Sequence, residues 1–299
     1  VKTLETGARL DLKKILLLTD FSEPSEITLP YALALAREYD SELCALHVMT
    51  PVPLPETSPE MAAALIDSSE EWAQNGMLRV DSQLAGVPHE TFIVRSEGIW
   101  PGVERVLHDR QIDLIILGTH GRTGSSKLLL GSVAEEIFRS AHVPVLTIGP
   151  AVRKGAHSGG RFYRVLYCTD FSREAEAAAP YAISMAEENQ AKLILLNVMR
   201  TPESARTELG RQESVANIMH QLYEIVPRPA ELWCRPEATV RFGIPGEKIL
   251  DVAADTDADL IVLGVRDAGP HLGAATHLSR RTAHKVVAHA NCPVLTVRG

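Results

Sequence analysis

The chain repeats itself, and the repeat dictates what it can fold into. Arg164-Val-Leu-Tyr-Cys-Thr-Asp-Phe-Ser172 restates Lys14-Ile-Leu-Leu-Leu-Thr-Asp-Phe-Ser22 at an offset of 150 residues. From Lys14 to Thr50, 15 of 37 positions are identical without a gap. Further on, Asp113-Leu-Ile-Ile-Leu-Gly118 matches Asp259-Leu-Ile-Val-Leu-Gly264, and His142-Val-Pro-Val-Leu-Thr147 matches Asn291-Cys-Pro-Val-Leu-Thr296. A chain that doubles in this way builds one domain twice. Its 299 residues give each copy enough length for a core of its own. The expected division is a first domain over 1–150, a polar, glycine-rich linker over 151–162 and a second domain over 163–299.

Within a copy, apolar runs alternate with helical patterns. Strands are expected at Lys14–Thr19, Glu42–Met49, Glu90–Arg95, Asp113–Gly118 and Pro144–Ile148. Helices are expected from Ser22 to about Tyr39, Glu60 to Ala85, Trp100 to Asp109, and after Ser132. This order implies an α/β fold with right-handed crossovers and a parallel sheet covered on both faces. Pro30 falls inside the first helical pattern, where a proline removes a hydrogen bond. Pro180 repeats it, so the two are expected to share one tolerated geometry.

The net charge of -8 argues against a general nucleic-acid binder. No run reaches the ~20 apolar residues of a membrane span, and VKTLETGARLDLKK has no apolar signal core. Cys44, Cys168, Cys234 and Cys292 form no C-x-x-C pair and read as reduced core thiols. A soluble, cytoplasmic protein is the expectation.

Chemistry concentrates between Gly118 and Pro144. A buried strand enters a loop with Gly118, Gly121 and Gly131, Ser132 follows directly, and an amphipathic helix comes next. Glycines admit a phosphate close to backbone N–H groups, and a helix N-terminus adds unpaired donors and a favourable dipole. Ser132-Val-Ala-Glu135 is also a capping box, with Ser132 as N-cap, and both readings hold together. Arg122 and Lys127 add positive charge or are simply solvated. The pattern is neither a Walker A loop nor G-x-G-x-x-G. Asp20 ends the first strand, where open parallel sheets place their ligand crevice. It either accepts hydrogen bonds from a nucleoside or only holds the turn and helix start; Asp170 in the second copy keeps that second reading open. No Ser/His/Asp or Cys/His arrangement can be argued from spacing, and His271, His277, His284 and His289 do not make a convincing metal set.

At these residues the chain resembles the universal stress protein family, and within it the tandem members that bind ATP. The resemblance rests on G-x2-G-x9-G-[ST] from Gly118 to Ser132, with Thr-Asp-Phe-Ser ending strand one, and it spans nearly the whole chain. It implies two tandem Rossmann-like domains of the adenine nucleotide alpha hydrolase-like kind, each a five-stranded parallel sheet of order 3-2-1-4-5. It implies that Thr19, Asp20 and Val48 lie against the adenosine. Gly118, Gly121, Arg122, Gly131, Ser132 and Val133 would surround the ribose and phosphates. Mg2+ is the companion cation it allows, with no carboxylate cluster dedicated to it. It also implies that the fifth strands, Val145–Ile148 and Val294–Val297, pair as an internal pseudo-dimer; a homodimer of whole chains stays open.

The second copy departs from the pattern. Asp267 replaces the second glycine, three residues are inserted, and Arg280 and Arg281 fall where Gly131 and Ser132 should be. The expectation is therefore an ATP-binding stress-response regulator with the nucleotide in domain 1. One rival is a slow ATP hydrolase, or an enzyme that phosphorylates itself at Ser125, Ser126 or Ser132. The other is an adaptor whose second domain holds a protein or a non-nucleotide ligand.

Overall fold

The computed structural model describes residues 10–51, 58–119, 130–152, 160–199, 208–234, 236–265 and 274–299. In the first half, β1 (Lys14–Leu18), β2 (Glu42–Met49), β3 (His89–Arg95), β4 (Leu114–Gly118) and β5 (Val145–Ile148) alternate with helices. These are α1 (Glu23–Glu26), α2 (Leu29–Tyr39), α3 (Pro59–Leu84), α4 (Ile99–Arg110) and α5 (Ser132–Ser140). The second half contributes β6 (Arg164–Cys168), α6 (Arg173–Glu188), β7 (Lys192–Met199), α7 (Glu208–Ile225) and α8 (Arg228–Cys234). It ends with β8 (Glu237–Phe242), α9 (Pro245–Asp255), β9 (Leu260–Val265), α10 (Ala274–His289) and β10 (Val294–Arg298).

All ten strands join one sheet in the order β3-β2-β1-β4-β5-β10-β9-β6-β7-β8. Neighbours within each half are parallel, as uniformly apolar strands buried on both faces should be. The seam is antiparallel: Val294 faces Thr147, Leu295 faces Leu146 and Thr296 faces Val145. The two threonine hydroxyls cross it, Thr147 donating to the Val294 carbonyl at 3.1 Å and Thr296 to the Val145 carbonyl at 3.3 Å. An otherwise open, apolar edge is covered on each side.

Two apolar layers line the sheet, and each runs through both halves. On one face, Ile15, Leu17, Leu35 and Leu43 continue into Tyr167, Leu193 and Leu195 under α2, α3 and α6. On the other, Leu16, Leu46, Ile115 and Ile137 continue into Leu166, Ile261 and Val286 under α4, α5, α9 and α10. Polar ties add to the junction. The Asn189 amide donates to Glu38 at 3.0 Å, and its oxygen accepts the Phe162 N–H at 3.0 Å. Phe162, at the end of the expected linker, is fully buried and stacks on Tyr31 at 6.2 Å.

The two prolines do not share a geometry. In the first half the expected single helix is broken: α1 stops at Glu26, and Thr28 bonds back to the Ser25 carbonyl through both its N–H and its hydroxyl. Pro30 therefore lies in the first turn of α2, where a missing N–H costs nothing. In the second half, alanines occupy positions 177–179, no hydroxyl competes for the backbone, and α6 runs unbroken through Pro180.

Candidate functional site

The Thr-Asp-Phe-Ser element folds the same way twice. Phe21 and Phe171 adopt left-handed backbone at φ 57° and 58°, a strained conformation for a bulky residue. The turn is held from within: the Thr19 hydroxyl accepts the Phe21 N–H at 3.0 Å, and the Thr169 hydroxyl accepts that of Phe171 at 2.9 Å. Asp20 Oδ1 accepts the N–H of Ser22 at 3.1 Å and its hydroxyl at 2.5 Å, while Asp170 Oδ1 accepts the Ser172 N–H at 3.0 Å. Ser22 and Ser172 then cap α1 and α6. One oxygen of Asp20 thus builds the turn, as the second copy foreshadowed.

An aromatic wall stands behind this turn. His47, next to Val48 on β2, is buried and its Nδ1–H donates to the Thr19 carbonyl at 2.8 Å. Its ring lies 4.5 Å from Phe21 and 5.7 Å from Trp72, and Phe21 meets Trp72 edge-on at 5.2 Å. The Phe21 ring also fills the space beside Gly76 of α3, where a Cβ would come within 2.6 Å of it. Sequence reasoning missed His47, Phe21 and Trp72. One signal was available: at the position of His47 the second copy carries Asn197, another side chain able to donate. Val48 is also buried, its side chain turned away into the space left by Gly102 on α4.

β1 pairs with β4, Leu17 opposite Ile116, so Thr19 and Asp20 emerge beside Gly118 at the carboxyl ends of adjacent strands. Thr119 follows, 1% exposed. Its carbonyl accepts the Gly131 N–H at 2.8 Å, and its own N–H donates to the Ile148 carbonyl at 2.9 Å. That tie brings the start of α5 back over the β1/β4 crevice. Gly121 and Arg122, with Ser125, Ser126 and Lys127, lie outside the described residues.

The N-cap of α5 is Gly131, not Ser132. The Gly131 carbonyl accepts the Glu135 N–H at 2.9 Å, so the helix is already closed one residue before the expected cap. Ser132 and Val133 therefore sit in the first turn, exposed, and among the described residues the Ser132 hydroxyl caps nothing. Gly131 has φ -63° and ψ 148°, a conformation open to any residue. Its backbone does not demand glycine. Thr19, Asp20, Val48, Gly118, Gly131, Ser132 and Val133 thus gather at the ends of three neighbouring strands and one helix start.

Among the described residues the second half presents a different backbone at this place. Counted back from Pro293, Arg280 and Arg281 replace Gly131 and Ser132, and both lie well inside α10, which begins at Ala274. No glycine or proline interrupts Ala274–His289. Their backbone N–H groups are engaged within a helix where the first half presents a helix start. At the end of β9, a Cβ on Gly264 would lie 2.2 Å from the Glu174 carbonyl oxygen, so α6 itself is seated on that strand end.

The sequence pattern of the Universal stress protein family matches residues 11–149 and again 161–298. Universal stress protein MJ0531 of Methanocaldococcus jannaschii is 33% identical over 152 residues, 46% of this chain and 81% of that protein. Universal stress protein MJ0577 of the same organism is 28% identical over 163 residues, covering 46% and 94%. A universal stress protein from Archaeoglobus fulgidus matches in three dimensions over 97% of this chain and 99% of its own, with a TM-score of 0.72 at 23% identity. That last likeness concerns the fold. Among the described residues no helix is long and apolar enough to cross a membrane.

Proposed function

The chain belongs to the universal stress protein family in both halves, and from that premise we propose that its first half holds an adenine nucleotide, ATP, and that the protein is a cytoplasmic, nucleotide-responsive regulator of the stress response. The observation that carries this reading is the tie between Thr119 and Gly131, which hangs a helix start with no side chain at its cap over the β1/β4 crevice. Phosphates are held by Gly118, Gly121, Arg122, Gly131 and the first-turn N–H groups of Ser132 and Val133. The adenosine lies towards Thr19, Asp20 and Val48. Thr19 already uses its hydroxyl and carbonyl within the protein, so it shapes the pocket floor. Among the described residues no cluster of three His, Cys, Asp or Glu gathers, so Mg2+ would enter on the nucleotide's own phosphates.

Equilibrium binding of ATP and ADP to the whole chain tests the proposal. Gly131→Val abolishes binding and leaves the fold intact, because its φ and ψ suit a side chain. Equal loss on changing Arg280 and Arg281 instead places the nucleotide in the second half. Sustained phosphate release, or transfer of label from γ-labelled ATP to the protein, converts the reading to a hydrolase or a self-phosphorylating enzyme.

A further inference from the structure

The antiparallel seam brings the amino ends of the second half's strands to the rim that carries the carboxyl ends of the first half's strands. There, under the starts of β6, β9 and β10, lies a cavity of about 290 Å3. That is near the lower end of small-molecule pockets, ~300–1,000 Å3. Its polar lining comes from both halves: Tyr31 of α2, Arg164 at the start of β6, Asp257 and Asp259 before β9, His289 at the end of α10, and Asn291. We propose that this cavity binds a small molecule through one anionic oxyacid group, a carboxylate or a phosphate.

The first half supplies an internal control. Lys14 occupies the position of Arg164, lies in register with Glu42 and pairs with it at 3.3 Å. In the second half the partner strand carries Lys192 instead, in register with Arg164, and Lys192 is committed to Glu237 at 2.7 Å. Arg164 is left beside a like charge. Among the described residues its guanidinium meets no carboxylate, only the Asp257 carbonyl at 3.4 Å. A guanidinium with most of its donors unused is the group best shaped to grip a carboxylate or phosphate.

Tyr31 is a donor too. Among the described residues the Tyr31 hydroxyl has no hydrogen-bond partner, and burial pushes its pKa up to about 12, so it remains a neutral donor. His289 spends Nδ1–H on the Lys285 carbonyl at 2.9 Å, so in the neutral ring Nε2 is an acceptor and adds no donor for an anion. Two carboxylates, Asp257 and Asp259, also line the cavity, so the anion seats on its Arg164 side. Asp259 Oδ2 accepts the N–H groups of Tyr163 and Arg164, both at 2.9 Å, as Asp113 does for Lys13 and Lys14 in the first half. Asp257 contributes its carbonyl to Arg164.

This inference does not depend on the nucleotide reading, and one experiment keeps the two apart. The 15N-labelled whole chain is titrated with succinate and, separately, with inorganic phosphate, while the amide signals of Ala258, Asn291 and Cys292 are followed. At least one anion produces saturable shifts, and the one that saturates at lower concentration names the class. Arg164→Met weakens that binding at least about tenfold and Tyr31→Phe by about fivefold, in line with loss of a charge-assisted and a neutral hydrogen bond. Gly131→Val leaves it unchanged. No saturable shift with either anion overturns the proposal. So does full affinity in Arg164→Met, or loss in Gly131→Val with retention in Arg164→Met, which would place the anion in the nucleotide crevice.

Discussion

His47 and Asn197 occupy equivalent positions in the two halves and make the same bond. His47 Nδ1 donates to the Thr19 carbonyl at 2.8 Å, and Asn197 Nδ2 donates to the Thr169 carbonyl at 2.9 Å. Each side chain latches the end of its half's first strand to the second, where the chain turns into the left-handed phenylalanine. His47→Ala leaves a buried carbonyl short of a donor and opens a gap beside Phe21. It should cost about 2 kcal/mol in urea unfolding. His47→Asn restores the donor and should cost about half as much.

Gly76→Ala sets two effects against each other. Alanine in a helix interior is favoured over glycine by roughly 0.5–1 kcal/mol. Here, however, the new methyl would stand 2.6 Å from the Phe21 ring. Overpacking of that kind costs about 1–3 kcal/mol, so it wins and the variant is destabilised. Phe21 must move, and Trp72, 5.2 Å from it, reports the movement as a change in fluorescence. Because Asp20 precedes Phe21, the proposed nucleotide site predicts a fall in ATP affinity as well; unchanged affinity with a shifted Trp72 signal would uncouple the turn from the site.

Gly264→Ala acts in the second half. Its Cβ would meet backbone, the Glu174 carbonyl oxygen at 2.2 Å, and no flexible side chain can give way. The start of α6 has to lift off β9, at a cost of about 3 kcal/mol. Thermal unfolding shows the loss, while the ATP binding proposed for the first half should be retained in the folded variant.

The thiols predict a limit at high pH. Burial pushes Cys44 up to about 11 and Cys292 to about 12, and raises Cys168 well above the ordinary thiol value. The unfolded chain therefore loses these protons first as pH rises. Stability is complete below about pH 8.5, the ordinary value for an unfolded cysteine, and declines as pH climbs towards 11 and 12. Denaturation midpoints between pH 8 and 11 measure the decline. At pH 8 a thiol reagent should label none of Cys44, Cys168, Cys234 and Cys292 in the native protein, since all four are buried, and all four in urea.

The elements were legible because the strands are uninterrupted apolar runs and the repeat doubled every signal. The crevice was legible because Gly118 and Asp20 each end a run. What escaped lies in competition between neighbouring groups. Ser132-Val-Ala-Glu135 has the letters of a capping box, yet the Gly131 carbonyl takes the Glu135 N–H first, and the box never forms. Pro30 and Pro180 sit in identical Pro-Tyr-Ala contexts, but Thr28 bonds to its own backbone where an alanine cannot. At Arg280 and Arg281 the change from the first half reaches the backbone, because α10 starts seven residues before the position of Ser132. The Glu38–Asn189 tie and the aromatic wall join residues far apart in sequence, and no local pattern announces them.

Because β5 and β10 run in opposite directions, each rim of the sheet carries the carboxyl ends of one half's strands and the amino ends of the other's. A ligand in the proposed nucleotide crevice and one at the carboxyl ends of β6–β9 would approach from opposite rims. Information between them has to travel lengthwise through strands of about five residues, roughly 16 Å of stiff, fully bonded backbone. The cavity behind Arg164 is different: it shares a rim with the crevice, and Ala290, next to its wall, places its carbonyl oxygen 3.8 Å from where a side chain on Gly149 would begin. A ligand in that cavity would therefore lie on the same rim as the crevice, whereas one at the carboxyl ends of β6 and β9 would lie a strand's length away.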